Sequence, residues 1–327
     1  MDNCRFLFQN TTKISIIIPA YNEEDRILPL LQKLATLQTP AEAIELIIVD
    51  DGSSDRTSDL CQQEIDHQFP RGKLITLEKN RGKGNALRIG VAVASSPVVI
   101  TMDADMATDL SAMEPAITGL QEHHIVVGSR SIKGSQTQGT TSARRFVTIG
   151  FSFFLRLLTK HKISDTQCGF KAYRSPVAKI LFSSSRLKGF AQDAEILDLA
   201  YRHNFSILEI PVIWTSIPDS KVNLIRDSLS SFLEFIWYRL NAGKNMRIYG
   251  ISLLGNGSEE QTIESGMLGF FSSESIYLRC GSTTDILMPG LDRPAIQIIS
   301  DSFQRRYPDY EVCNCSHTLR DLASVGS

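Results

Sequence analysis

The chain has 327 residues, 42% hydrophobic and 21% charged, with a formal net charge of −2. That length admits one large domain or two, and the composition supports an ordinary folded core. The near-neutral balance argues against a nucleic-acid binder, which needs a basic excess; no window approaches the roughly 18 apolar residues of a spanning helix, and the opening MDNCRFLFQNTTK holds no apolar run long enough for a signal peptide.

In chain order, residues 14–19 read as a first strand closed by Pro19. Asn22, Glu23, Glu24 and Asp25 then offer a cap and an acidic first turn to a helix carrying Ile27, Leu30, Leu31, Leu34 and Leu37 at helical spacing. Residues 44–49 form a second apolar strand running into Asp50 and Asp51, and residues 52–55 a turn that opens another helix. Residues 74–77 read as a strand, and 80–84 as a loop into a helix over 85–94. After Pro97, a short apolar run from Val98 ends in Asp103 and Asp105; a helix over 110–121 and a strand over 125–129 follow. This alternation over about residues 14–130 predicts an α/β fold with a doubly wound, mostly parallel sheet and right-handed crossovers.

Two strand ends thus carry paired carboxylates, Asp50/Asp51 and Asp103/Asp105. Ligands of open α/β sheets sit outside the carboxyl ends of strands. Carboxylates one residue apart can share a divalent cation, and Mg²⁺ or Mn²⁺ favours oxygen ligands and phosphate. Either pair alone reads as a solvated turn. Two pairs on one sheet edge gather negative charge that needs a cation or hydrogen bonds.

Six cysteines, at positions 4, 61, 168, 280, 313 and 315, show no repeated C-x-x-C, which predicts reduced thiols. Cys313, Cys315 and His317 have ligand chemistry but lack an evident fourth metal ligand.

The segments IPAYNE (18–23), VDDGS (49–53), NRGKG (80–84) and DAD (103–105) together resemble the nucleotide-sugar glycosyltransferases of family 2, which have the Rossmann-like GT-A fold. The similarity continues through GSR (128–130), DTQCGFK (165–171), FAQDAE (190–195), EIPV (209–212), DSKV (219–222) and RDS (226–228), covering about residues 14–241. This set is similar to the polyprenyl-phosphate branch, most of all to the dolichyl-phosphate β-glucosyltransferases. The chain differs from the eukaryotic members in the N-terminal membrane anchor they carry, and from the mannosyl branch in having Ala107 where a Gln commonly follows the D-x-D.

The resemblance implies an inverting transfer of a hexose, glucose from UDP-glucose first, to a polyprenyl or dolichyl phosphate, with Mg²⁺ or Mn²⁺ as cofactor. It assigns Asp50 to the nucleotide base or ribose, with Pro19, Tyr21 and Glu23 shaping that pocket and Lys83 and Lys221 approaching the nucleotide sugar. Glycines beside Lys83 would let the backbone approach a ligand; a plain turn is the alternative. Asp103 would face the ribose or metal, and Asp105 would bind the metal that bridges the diphosphate. Asp193 stands where the wider family places its base, although a helix N-cap is an equal reading. A phosphate acceptor with a second pKa near ~6 needs no base.

Arg130, Arg144 and Arg145 are candidates for the acceptor phosphate, since Arg grips phosphate bidentately. Positions 146, 149, 150, 153, 154, 157 and 158 repeat at helical spacing between basic ends. An ordinary buried helix or an interfacial helix meeting anionic headgroups would both carry that pattern. Between 143 and 174 seven Lys/Arg face one acid, Asp165, which favours the lipid-phosphate reading. Peripheral attachment on the cytoplasmic face of a membrane is the corresponding expectation.

Residues 224–240 are amphipathic, with Leu229, Phe232, Leu233, Ile236 and Leu240 on one side. The expected organisation is a GT-A domain over 1–241 and a small α+β unit over 242–327, with a strand at 276–280 and a helix from Pro294. Two other readings stay open: transfer to a soluble or glycan acceptor, and a non-catalytic nucleotide-sugar-binding regulator. Intact Asp50, Asp103, Asp105, Lys171 and Lys221 oppose the second.

Overall fold

The computed structural model describes residues 13–37, 43–139, 163–216, 224–241, 247–255, 276–280, 283–287 and 310–318. The chain divides into two compact units, Met1–Gly243 and Lys244–Ser327.

The first unit carries strands β1 (Ile14–Ala20), β2 (Ile44–Asp50), β3 (Lys73–Thr76), β4 (Val98–Thr101), β5 (Ile125–Ser129), β6 (Gln136–Gln138), β7 (Lys171–Arg174), β8 (Ile207–Pro211) and β9 (Ile213–Thr215). Seven of them form one sheet in the order β3-β2-β1-β4-β7-β5-β8, while β6 and β9 pair separately. Within the seven, β7 runs antiparallel to β4 and β5, and the other pairings are parallel. Among the described residues the unit also carries helices α1 (Ile27–Ala35), α2 (Thr57–Gln68), α3 (Lys83–Val93), α4 (Met113–Gly119), α5 (Ser175–Ser184), α6 (Gln192–Arg202) and α7 (Leu224–Asn241). The sheet is the mostly parallel α/β arrangement that the alternation predicts. Its central strands are buried along nearly their whole length, which is why they read as unbroken apolar runs rather than alternating ones.

Pro19 does not end β1. Odd residues of β1 turn their backbone toward β4, as Ile17 does in accepting from Met102 N–H. Pairing with β4 stops at Ile17–Thr101, so the missing N–H of Pro19 faces a position where no ladder partner remains. Residues 22–25 also lie outside α1, which starts at Ile27 with no acid in its first turn. Asn22 takes φ 55° and its segment is a turn held to the following loop. The helix expected over 110–121 divides into a 3₁₀ turn at Leu110–Ala112 and α4.

The amphipathic stretch forms α7, and the burial of its described side chains is mixed. Phe235 and Tyr238 are buried, whereas Leu233 and Trp237 are more than half exposed. Tyr238 Oη donates to Asp198 Oδ2 at 2.9 Å and Arg239 Nη1 to Asp198 Oδ1 at 3.0 Å. These bonds satisfy a buried carboxylate of α6, which would otherwise cost free energy. The stretch 143–162 lies outside the described residues, and no helix among the described residues is long and apolar enough to cross a membrane.

Glu45 is a further polar brace. Its buried carboxylate accepts from Lys73 Nζ at 2.7 Å, Ser95 N–H at 2.8 Å and the Ser15 hydroxyl. Burial alone would raise its pKa, but Lys73 and the serines outweigh it and hold the carboxyl at about 2. A depressed carboxyl gives stability that is present above its ordinary 4.5 and lost as pH falls toward about 2. Glu45→Gln is therefore expected to cost roughly 1.5–3 kcal/mol at pH 7 and to flatten the loss of stability between pH 4.5 and 2, as read by urea unfolding at several pH values.

The second unit contains an antiparallel sheet of β10 (Arg247–Gly255), β11 (Ile276–Cys280), β12 (Thr283–Leu287) and β13 (Tyr310–Thr318), ordered β11-β12-β10-β13. The strand expected at 276–280 is β11. The helix expected from Pro294 lies outside the described residues. Cys313, Cys315 and His317 occupy alternate positions of β13, opposite Ser252, Gly250 and Ile248 of β10.

Candidate active site

The strand order reverses direction between β1 and β4, and their carboxyl ends lie beside that of β2. Such a switch point opens a crevice at one sheet edge. The chain leaves β4 there. Met102 N–H makes one last bond to Ile17, and residues 103–106 turn away. Met106 takes φ 55°, a left-handed conformation unusual for a side chain of that size. The turn is held on both sides: Ala107 N–H donates to Asp105 Oδ1 at 3.0 Å, Thr215 N–H to Ala107 O at 2.8 Å, and Asp109 N–H to Ile213 O at 2.9 Å. β9 thus straps the segment that follows the D-x-D.

Four charged side chains alternate in sign from the interior to this turn. Lys171 Nζ, fully buried, donates to Asp193 Oδ1 at 2.6 Å and to Cys168 O at 2.5 Å. Asp193 Oδ2 lies 3.3 Å from Lys83 Nζ, which lies 2.7 Å from Asp103 Oδ1. Burial would raise the Asp193 pKa, but Lys171 and Lys83 outweigh it and hold the carboxyl below the usual carboxylate range. For Lys83 the reverse holds: burial would discharge the ammonium, and Asp103 and Asp193 keep it protonated. Asp193 lies in the first turn of α6, whose N-cap is Ala191, so the capping reading of Asp193 does not hold.

Asp105 differs from its neighbour. Burial, then the charge of Asp103, raises its pKa. Two hard carboxylates in mutual repulsion at the mouth of a crevice suit a divalent cation completed by ligand oxygens. Asp105 and Asp103 have the chemistry for such a cation, and among the described residues no third acidic, His or Cys side chain joins them, so ligand oxygens would have to complete the site.

Gly169 fixes the pose of Asp103. A Cβ on Gly169 would lie 2.0 Å from Asp103 Oδ2 and 2.4 Å from its Cγ. Gly169→Ala is expected to displace that carboxylate, lowering kcat at least ~10-fold while shifting stability by roughly 1–3 kcal/mol. Turnover and thermal unfolding of the same sample check this.

The other pocket candidates line the same edge. Asp50 is fully buried and accepts from Ser53 N–H at 3.0 Å, the Ser53 hydroxyl and Ser58 Oγ at 2.7 Å. Asp51, unassigned by the sequence, accepts from Arg81 and Gly82 N–H at 2.8 and 2.7 Å and so shapes the 80–84 loop. Asn22 N–H donates to Ser53 Oγ at 2.8 Å, and Ser54 N–H returns to Asn22 Oδ1 at 2.8 Å. Pro19 lies just beyond the pairing with β4, Tyr21 is 43% exposed, and Glu23 pairs with Arg26 at 2.7 Å. The glycines beside Lys83 make room for protein: a Cβ on Gly82 would meet Lys188 O at 2.4 Å, and Gly84 N–H donates to that carbonyl. Both glycines thus pack closely against Lys188, with Gly189 and Gln192 beside it.

Arg130 feels the charge of Asp103 but pairs with another acid. Its Nε and Nη2 form a fork with Asp165 at 2.6 and 2.8 Å, over the Trp214 ring. That edge of the guanidinium is committed to protein. Asp165 was legible as the single acid in the basic stretch from 143 to 174. Gly169 and Trp214 had no comparable signal. Arg144, Arg145 and Lys221 lie outside the described residues. The two thiols described, Cys61 and Cys168, are free and buried, and burial raises them to about 12 and about 11.

Residues 15–182 match the family described as "Glycosyl transferase family 2". The chain belongs to glycosyl transferase family 2. Among curated members of that family it is 34% identical over 230 residues to the human dolichyl-phosphate beta-glucosyltransferase, covering 65% of this chain and 70% of that one. It is 31% identical over 223 residues to a Trichomonas vaginalis protein of the same name, covering 64% and 66%; the chain thus spans about two thirds of those relatives' lengths. The fold is similar to that of the glucosyl-3-phosphoglycerate synthase of Mycobacterium tuberculosis crystallised with Mn²⁺ and UDP-glucose, with TM-score 0.53, 15% identity and coverage of 88% and 91%. The glycosyltransferase has the α/β fold of the GT-A type, and its D-x-D stands at the strand end where the sheet order reverses.

Proposed function

We propose that the chain transfers glucose from UDP-glucose to a polyprenyl or dolichyl phosphate with inversion, at the membrane surface. The observation that carries the acceptor class is the state of Asp193. A hydroxyl acceptor must lose a proton during attack, and a base serves best when its pKa lies near the working pH. Asp193 is shared between two lysines and held below the usual carboxylate range. It is a poor proton acceptor and suits a nucleophile that arrives already ionised. A phosphate monoester, with a second pKa near ~6, is such a nucleophile. The names of the curated relatives support the same acceptor and the same sugar.

The residues divide the work accordingly. The hydrogen-bonded turns around Asp50, Asp51 and Asn22 hold the nucleotide end of the crevice. Asp105 and Asp103 would hold Mg²⁺ or Mn²⁺, which when bound offsets charge on the departing diphosphate. Lys83 keeps a fixed positive charge beside Asp103. Arg130, Arg144 and Arg145 remain the proposed acceptor-phosphate contacts, Arg130 through whatever its Asp165 fork leaves free. The basic, amphipathic sequence over 143–162 supports peripheral membrane contact. The 242–327 unit is proposed as a separate appendage.

The test is a lipid-extraction assay with sugar-labelled UDP-glucose and a polyprenyl phosphate. Label is expected in the organic phase, in an acid-labile product. Label confined to water-soluble glycan would replace this reading with the soluble-acceptor one.

A further inference from the structure

We propose that Lys171 is a positioning residue for sugar transfer, acting through Asp193 and Lys83 on the carboxylate of Asp103. A fully buried ammonium costs several kcal/mol unless it is paired and hydrogen-bonded. Lys171 sits in β7, opposite Thr101 at the end of β4, and so lies two residues along from Asp103 on the neighbouring strand. An apolar residue would fill that core position with less penalty. The lysine instead gives its charge to Asp193 Oδ1 and a further hydrogen bond to Cys168 O.

The consequence runs outward. With Oδ1 held by Lys171, Asp193 offers Lys83 only Oδ2, at the longer distance of 3.3 Å. Lys83 therefore leans to Asp103, at 2.7 Å. Gly169 closes the space behind the other Asp103 oxygen, so the carboxylate is fixed from two sides. Side-chain exposure rises along the row, from 0% at Lys171 through 9% and 16% to 39% at Asp103, so a buried anchor sets the pose of a solvent-facing group. Without the anchor, Asp193 no longer has its second cation to share, and Lys83 is drawn from Asp103 toward it.

A purely structural lysine would affect folding alone, and the row permits that distinction because Lys171 and Asp193 cancel. Lys171→Met leaves Asp193 short of a partner and is expected to lower thermal stability. Lys171→Met combined with Asp193→Asn removes both charges and is expected to recover most of it. In that double variant kcat is nevertheless expected to fall roughly 10²-fold, with a smaller change in donor KM. The crystal structure of the single variant Lys171→Met, which keeps the Asp193 carboxylate, should show Lys83 Nζ drawn from its 2.7 Å contact with Asp103 toward Asp193. The proposal rests on the transfer reaction proposed above, and the two fail separately. Absence of wild-type turnover with UDP-glucose would defeat the donor assignment, while the Lys83 position still decides the relay. A folded double variant with kcat within about threefold of wild type, or a Lys171→Met structure with Lys83 in its original place, would overturn it. So would a double variant that fails to fold, because the pair would then be a folding element.

Discussion

Replacing Asp105 by Asn is expected to abolish transfer while leaving the fold intact. The Asp105 side chain accepts one hydrogen bond, from Ala107 N–H, and Asn Oδ1 can accept the same one. Its pKa is raised by burial and by Asp103, so ionised Asp105 works against the folded state. The sign follows from linkage: with the folded pKa above the unfolded one, stability is greatest at low pH and declines as pH rises through the unfolded value. Asn removes that penalty, and the melting temperature at pH 7 should stay the same or rise slightly. Catalysis should respond in the opposite direction. Losing one charged ligand weakens a cation whose charge stabilisation is worth several kcal/mol, or on the order of 10³-fold in rate. Thermal unfolding and labelled-sugar transfer across Mg²⁺ concentrations read both effects. Near-normal turnover at low Mg²⁺ would remove Asp105 from the metal site.

The opposing demands on Asp105 explain why the turn was legible. A carboxylate that destabilises its own fold is placed in the sequence where nothing else requires it, after an apolar strand. Asp103 and Asp105 stood out on that ground, and the strand order and Met106 geometry now give the position a structural frame. The sheet was legible for a related reason. Buried parallel strands admit polar residues only where these find partners, as Ser15 and Glu45 do in each other, so β1, β2 and β4 appear as runs rich in Ile and Val. What failed to show were features set by partners distant in sequence. Tyr238 of α7 is held by Asp198, forty residues earlier, a partner that helical periodicity does not mark. The glycines beside Lys83 answer to the carbonyl of Lys188, and Gly169 to the carboxylate of Asp103. Lys171 appeared only as part of a motif. A single lysine in a short strand has no pattern to mark it as fully buried, or to name Asp193 as its partner.

The acceptor question turns on where the reaction's proton goes, and Asp193→Asn alone cannot answer it. That substitution leaves Lys171 as a buried charge without its carboxylate, and breaking such a pair costs roughly 3–5 kcal/mol. Lost activity would then report folding as readily as catalysis. The wild-type pH profile is the cleaner probe. With a polyprenyl phosphate, kcat/KM should rise as the acceptor's second proton leaves near ~6, and then stay level to about pH 8. Asp193 should add no inflection, since its lysines keep it ionised throughout that window. Burial raises the Glu195 carboxyl to about 6, where it accepts from Arg186 and Leu187 N–H at 2.8 and 2.9 Å, which makes it a second source for such an inflection. Two controls separate the sources. An acceptor analogue with a more acidic phosphate should move the inflection down by the same interval as its own pKa, whereas Glu195→Gln should leave it in place. A soluble glycan offered instead should react at least ~10²-fold more slowly, the lower end of what a positioned base contributes. If the inflection ignores the acceptor's pKa and the glycan is the faster substrate, the hydroxyl reading prevails and Asp193 must act as a base despite its lysines.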